Sequence, residues 1–284
     1  MTLSLDTRQR AMLAAMGVRV WQPNAAVEPL VQPDPTLRAE TPALPVVRSV
    51  VRVAQATASP SVTSSPSAPA PAALVLKALP EGLAEMDWAA LQNAASLCQA
   101  CSLCETRQHS VFSNASPLKP PPSTDWLIIT DPPSVEEERK SDLFVNTEGE
   151  LFDAMLLALG MARHAAPDQL TATVVPVLKC RVPAQRNPHA EELQQCRAYL
   201  ERQVALLQPQ VIVAMGRWAV QSVLTATSAD LASQPLGKLR GQVHRFANTP
   251  VVVTYHPQSL LRTPLDKAKA WADLCLAHSL TRRP

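Results

Sequence analysis

From about residue 83 onward the chain alternates short apolar runs with segments of helical period. Trp126-Leu-Ile-Ile129, Thr173-Val-Val-Pro-Val-Leu178, Val211-Ile-Val-Ala214 and Val251-Val-Val-Thr254 read as buried strands. Between them, Trp88 to Leu97, Leu151 to Leu159 with Gly160 as a stop, Glu191 to Leu207 and Ala219 to Leu224 read as helices. Apolar strands separated by helices need cover on both faces, which predicts a three-layer α/β/α fold around a central, mainly parallel, four-stranded sheet. Such folds bind ligands beyond the carboxyl ends of the strands, and the loops 130–134, 179–188 and 255–262 meet there.

The pattern before residue 81 is different. Residues 5–21 open on a capping Asp6 or Thr7, place Met12, Leu13 and Met16 on one face, and stop at Gly17. This short helix and its Val18, Val20 and Trp21 extension carry too little core to fold alone. They are expected to bind a partner, with packing onto the chain's own domain as the alternative. Residues 24–80 are dense in Pro, Ala and Ser and read as a disordered, extended linker, which leaves 81–284 as the globular domain.

Composition adds little to that division until the cysteines are considered. Net charge is +2, neither for nor against a nucleic-acid partner, and 27 prolines against 7 glycines reflect the linker. There is neither an apolar run of about 18 residues nor a secretory signal pattern, so the expectation is a cytoplasmic protein with no membrane contact and reduced thiols. In that setting Cys101-Ser-Leu-Cys104, with Cys180 and Cys196, reads as a metal-binding set, because soft thiolates select zinc or an iron–sulfur cluster. Cys98 is an alternate ligand and Cys275 a core residue.

The words around these cysteines carry a resemblance. Cys101-x2-Cys104, Lys179-Cys180-Arg181 with Pro183, Arg186 and Pro188, then Cys196, Leu239-Arg240-Gly241 and Tyr255-His256-Pro257 through Arg262 resemble the family 4 uracil-DNA glycosylases over about the last two-thirds of the chain. The resemblance implies that fold, a 4Fe-4S cluster on Cys101, Cys104, Cys180 and Cys196 (zinc being the alternative), and DNA as a partner. It also implies His256 as donor to the base carbonyl and Phe144 as the stacking ring. Lys179, Arg181, Arg186, Arg240 and Arg262 are candidate phosphate contacts, or else internal braces.

The departures fall in the pocket. Thr130-Asp131-Pro132-Pro133-Ser134 stands where the family has Gly-Glu-Ala-Pro-Gly, leaving Asp131 as the catalytic carboxylate, and Pro176 stands for a base-reading asparagine. Ser141, Leu143 and Asn146 replace Gly, Pro and Gly around Phe144. Residues 5–21 resemble the psi subunit of the DNA polymerase III clamp loader. The expectation is therefore a catalytically degenerate iron–sulfur protein of the glycosylase fold, a psi-like clamp-loader accessory subunit acting as a monomer within a hetero-complex. The alternative is an active family 4-type uracil-DNA glycosylase.

Overall fold

The computed structural model describes residues 8–9, 12, 76–114, 124–163, 169–184, 186–225 and 228–281. Leu13, Met16, Val18, Val20 and Trp21, and nearly all of the expected linker, lie outside the described residues. The described part of the domain begins a few residues before the expected boundary, at Leu76, where the Lys77 N–H donates to the Ala100 carbonyl.

The architecture is the expected α/β/α sandwich, with a wider sheet. Among the described residues six strands, β1 (Trp126–Thr130), β2 (Met161–Ala162), β3 (Leu170–Pro176), β4 (Val211–Met215), β5 (Val243–Phe246) and β6 (Thr249–Thr254), lie in the order β2-β3-β1-β4-β6-β5. All pairs are parallel except β5 with β6. The expected count of four is corrected to six because the two edge strands lack an apolar run. β2 is two residues long, and β5 is Val-His-Arg-Phe with only Phe246 buried. Edge strands of this kind resist pairing with other chains.

Alternation within each strand sends successive apolar side chains to opposite faces. Leu127, Ile129, Ile212, Ala214, Val251 and Val253 pack under the helices Trp88–Leu97, Ala190–Leu207 and Arg217–Thr225. Trp126, Ile128, Val211, Val213, Met215 and Val252 pack under Asn146–Ala158 and Lys267–Leu280. Met12 packs against this second cluster, and so does Cys275, as its apolar helix suggests. Among the described residues no helix is long and apolar enough to cross a membrane.

The chain leaves β1 for β3 on one side and returns to β4 on the other, so the sheet's switch point lies between β1 and β4. Thr130, Met215 and Thr254 stand in register at the carboxyl ends. The next residues of each strand, Asp131, Gly216 and Tyr255, therefore meet at one edge.

Candidate functional site

Asp131, Gly216, Tyr255 and His256 line a cleft of about 310 Å³, together with Glu137, Glu148, Arg217, Gln258 and Arg262. Gly216 has φ +104, and a Cβ there would stand 2.3 Å from an Asp131 carboxylate oxygen. Only glycine lets the strand end come so close to the acid.

Asp131 reaches across to the start of the helix Arg217–Thr225. Its Oδ1 accepts from the Trp218 N–H at 2.8 Å and the Ala219 N–H at 3.0 Å. Burial raises its carboxyl pKa from 3.8 to about 6, against the lowering effect of these amides. A helix amino terminus thus holds an acid that exchanges its proton close to neutral pH.

His256 caps the helix Pro257–Arg262 by accepting from the Gln258 N–H at Nδ1, 3.2 Å away. Nε2 therefore carries the proton and donates to Thr130 Oγ1 at 3.0 Å. Burial lowers the His256 pKa to about 4, so the ring is neutral at physiological pH.

Phe144 is buried, with its ring centroid 4.4 Å from Phe152 and 5.3 Å from His256. Its backbone N–H donates to Glu137 Oε1 at 2.7 Å. The other Glu137 oxygen accepts from the Ser134 N–H and hydroxyl, both at 2.8 Å, in a capping box that opens the helix Val135–Lys140. Serine at 134 thus caps a helix where the resembling family has a glycine. Ser141, Phe144 and Asn146 all adopt positive φ, 52°, 51° and 59°. The loop therefore keeps left-handed backbone at the two positions where glycine was replaced, a conformation that costs a side-chain-bearing residue about 1 kcal/mol or more. Gly149 allows this path, since a Cβ there would fall on the Phe144 carbonyl oxygen.

Pro176 ends β3 beside Thr130, and its carbonyl accepts from Lys179 Nζ at 2.8 Å. Lys179 also donates to Gln203 Oε1 at 2.7 Å and is almost fully buried, which holds its pKa down at about 8. This corrects its place among the phosphate contacts: its ammonium is inside the fold. Arg181 pairs with Glu138, Arg186 with Glu192 and Arg240 with Asp273, each at 2.7 Å, and Arg240 also stacks on Tyr255. These three are internal braces. Arg262 is exposed at the cleft, joined by Arg217, whose guanidinium lies over Trp218. Sequence reading missed Arg217, Glu137 and Glu148. The strand–glycine–helix turn at Gly216 was the available signal for Arg217, whereas nothing local marks the two acids.

A second cavity, between the helices Trp88–Leu97 and Ala190–Leu207, is lined by Cys98, Cys101, Cys104, Cys180 and Cys196. The Arg107 guanidinium donates to Cys180 Sγ and the Lys179 N–H to Cys196 Sγ, both at 3.4 Å, contacts that favour thiolates. Burial raises the thiol pKa of Cys180 to about 11 and of Cys196 to about 12, so a metal binding there would displace protons. Among the described residues no three His, Cys, Asp or Glu side chains converge on one metal ion. The donor set, four cysteines with a fifth beside them around one cavity, is of the soft-thiolate kind that takes zinc or an iron–sulfur cluster.

Comparison with known proteins gives the same picture. The pattern described as the uracil DNA glycosylase superfamily matches residues 117–275. Proteins named type-4 uracil-DNA glycosylase are similar to this chain. The one from Archaeoglobus fulgidus is 29% identical over 59% of this chain and 79% of its own length. The one from Sulfurisphaera tokodaii is 30% identical over 59% and 72%, and that of Pyrobaculum aerophilum 28% over 66% and 92%.

Proposed function

The chain belongs to the uracil DNA glycosylase superfamily, and from that premise we propose that it is a DNA-base glycosylase whose reacting groups are Asp131 and His256. The observation that carries this reading is the pair itself. An acid with a pKa of about 6 and a neutral imidazole line one cleft at the carboxyl ends of parallel strands.

In the proposed reaction a flipped nucleotide enters the cleft. As the C1′–N bond breaks, its electron pair passes to the base, and His256 Nε2–H turns from Thr130 to donate to the base carbonyl where negative charge develops. Water adds to C1′ and its proton passes to the Asp131 carboxylate. Arg217 and Arg262, exposed at the rim, are placed to meet phosphates. Cys101, Cys104, Cys180 and Cys196 would hold a 4Fe-4S cluster, with Cys98 beside it. When bound, that cluster would staple the 101–104 segment to the 180–196 segment. The test is detection of abasic sites in a uracil-containing oligonucleotide treated with iron-replete protein, alongside Asp131→Asn. Turnover lost in the variant supports the proposal, and turnover equal in both sinks the assignment.

One observation favours a second reading, a non-catalytic psi-like accessory of a clamp loader. The Phe144 ring is closed off between Phe152 and His256, which leaves no open stacking face in this conformation. Against it, Met12, expected to face a partner, packs on the chain's own core, the alternative to partner binding. Capture of clamp-loader subunits by the full chain, lost on removing residues 1–23, would support this second reading.

A further inference from the structure

Both thiol-bearing segments are tied to the helix Val135–Lys140. Beyond Cys104, the Arg107 guanidinium donates to Cys180 Sγ at 3.4 Å and to the Ser96 carbonyl at 2.7 Å. The next residue, Gln108, donates its backbone N–H to Glu138 Oε1 at 2.9 Å. On the other segment, Arg181 directly follows Cys180, and its Nε donates to Glu138 Oε2 at 2.7 Å. The two segments also meet each other, where the Val111 N–H donates to the Lys179 carbonyl at 3.0 Å. Each oxygen of Glu138 is thus held by a different thiol segment.

Glu138 is 1% exposed, and a carboxylate buried to that degree persists only where donors compensate it. Its neighbour Glu137 lines the cleft, closes the capping box on Ser134 and holds the Phe144 N–H at 2.7 Å. Phe144 in turn packs 5.3 Å from His256. The helix carrying both acids has six residues, too few to be stable without outside contacts, so its place depends on what grips it. The loop that follows, with Ser141, Phe144 and Asn146 at positive φ, likewise needs its surroundings to hold it.

We propose that Glu138 is a positioning residue that fixes the cleft wall against the two thiol segments. A metal centre stapling Cys101 and Cys104 to Cys180 and Cys196 would then also steady Glu137 and Phe144, through Arg181 and Glu138. The inference rests on the reading of the cleft as a nucleobase site and gives the distant thiols a part in holding the base. The role is mechanical, with no electron or proton passed along the link.

The test uses full-length, iron-replete protein as wild type, Arg181→Met, Glu138→Gln and the double variant, with Arg181→Lys as the conservative control. Iron content is read first, then hydrogen exchange of residues 134–146 beside that of the helix Lys267–Leu280. Binding is measured with a single-stranded oligonucleotide carrying one 2′-fluoroarabino-uridine, whose glycosidic bond resists cleavage, against the same oligonucleotide lacking it. Both single variants are expected to keep their iron and to exchange about tenfold faster at 134–146, with Lys267–Leu280 unchanged. Their preference for the uridine probe should fall about tenfold. The double variant should match either single one, since both remove the same link, and Arg181→Lys should lie nearer the wild type.

Unchanged exchange at 134–146, an unchanged preference, or additive effects of the two substitutions overturns the proposal. Faster exchange throughout the domain also overturns it, as a general loss of stability, and so does loss of iron, which would make the pair part of the metal site. Base release from the cleavable uridine oligonucleotide is followed in parallel. Release by the wild type beside unchanged preferences in the variants overturns the inference and leaves the glycosylase reading standing. Expected exchange and preference changes without release by the wild type overturn the enzymatic reading and leave Glu138 as the positioning residue. A wild type with no uridine preference overturns the nucleobase reading and the inference with it.

Discussion

Replacing Asp131 by asparagine separates what this residue does for the fold from what it does for chemistry. Asparagine keeps an oxygen for the Trp218 and Ala219 amides that Oδ1 now serves at 2.8 and 3.0 Å. It removes the charge that burial disfavours. A carboxyl pKa raised from 3.8 to about 6 means that, as pH climbs between those values, the unfolded chain ionises while the folded one stays protonated. Stability therefore falls with rising pH, by about 3 kcal/mol for the full interval at about 1.4 kcal/mol per pH unit. Between pH 5 and pH 8 only the upper part of that loss remains, about 1 kcal/mol once the half-buried position is allowed for. His256, with its pKa lowered to about 4, loses stability in the opposite direction, as pH falls from 6.5 toward 4. It is common to both proteins and cancels in their difference. Thermal unfolding at pH 5 and pH 8 should show Asp131→Asn gaining on the wild type by about 2–4 °C at the higher pH. Parallel unfolding curves at the two pH values would refute the half-buried, ionisable Asp131 on which the argument stands.

Further expectations follow from the loop, the cations and the cysteines. Ser141→Gly relieves a left-handed residue at the end of the helix Val135–Lys140 and should stabilise the protein by about 1 kcal/mol, read as a higher urea midpoint at unchanged slope. Arg262→Ala should lower the salt dependence of DNA binding by about one phosphate contact. Lys179→Met should leave that slope unchanged yet cost about 1–3 kcal/mol of stability, because the Pro176 carbonyl and Gln203 lose their donor. Cys180→Ser or Cys196→Ser should release iron, abolish the visible absorbance of the purified protein and lower its unfolding temperature, whereas Cys275→Ser, on the opposite face of the sheet, should retain the iron.

The sheet's centre was legible because strands covered on both faces must be apolar throughout, as Trp126–Ile129, Val211–Ala214 and Val251–Val253 are. The edge strands β2 and β5 were not, since a two-residue strand has no period and Val-His-Arg-Phe alternates too weakly. The cysteine cavity was legible from spacing and chemistry. Lys179 was misassigned because it opens a loop that also carries Arg181 and Arg186, while the group that draws its ammonium inward, Gln203, lies on another element. Glu137 escaped notice for the same kind of reason. As a helix's third residue it reads as half of a capping box, and only the fold brings its second oxygen to the Phe144 amide.

The most direct test of the central claim is abasic-site formation by the iron-replete wild type and by Asp131→Asn, measured from pH 5 to pH 8 on oligonucleotides containing uracil or another damaged base. The account predicts release by the wild type with a rate that falls about tenfold per pH unit below about pH 6. Release should be at least about a hundredfold slower in Asp131→Asn, with no second limb from His256 above pH 6. Absence of release from every substrate, or release by Asp131→Asn at the wild-type rate, would contradict it.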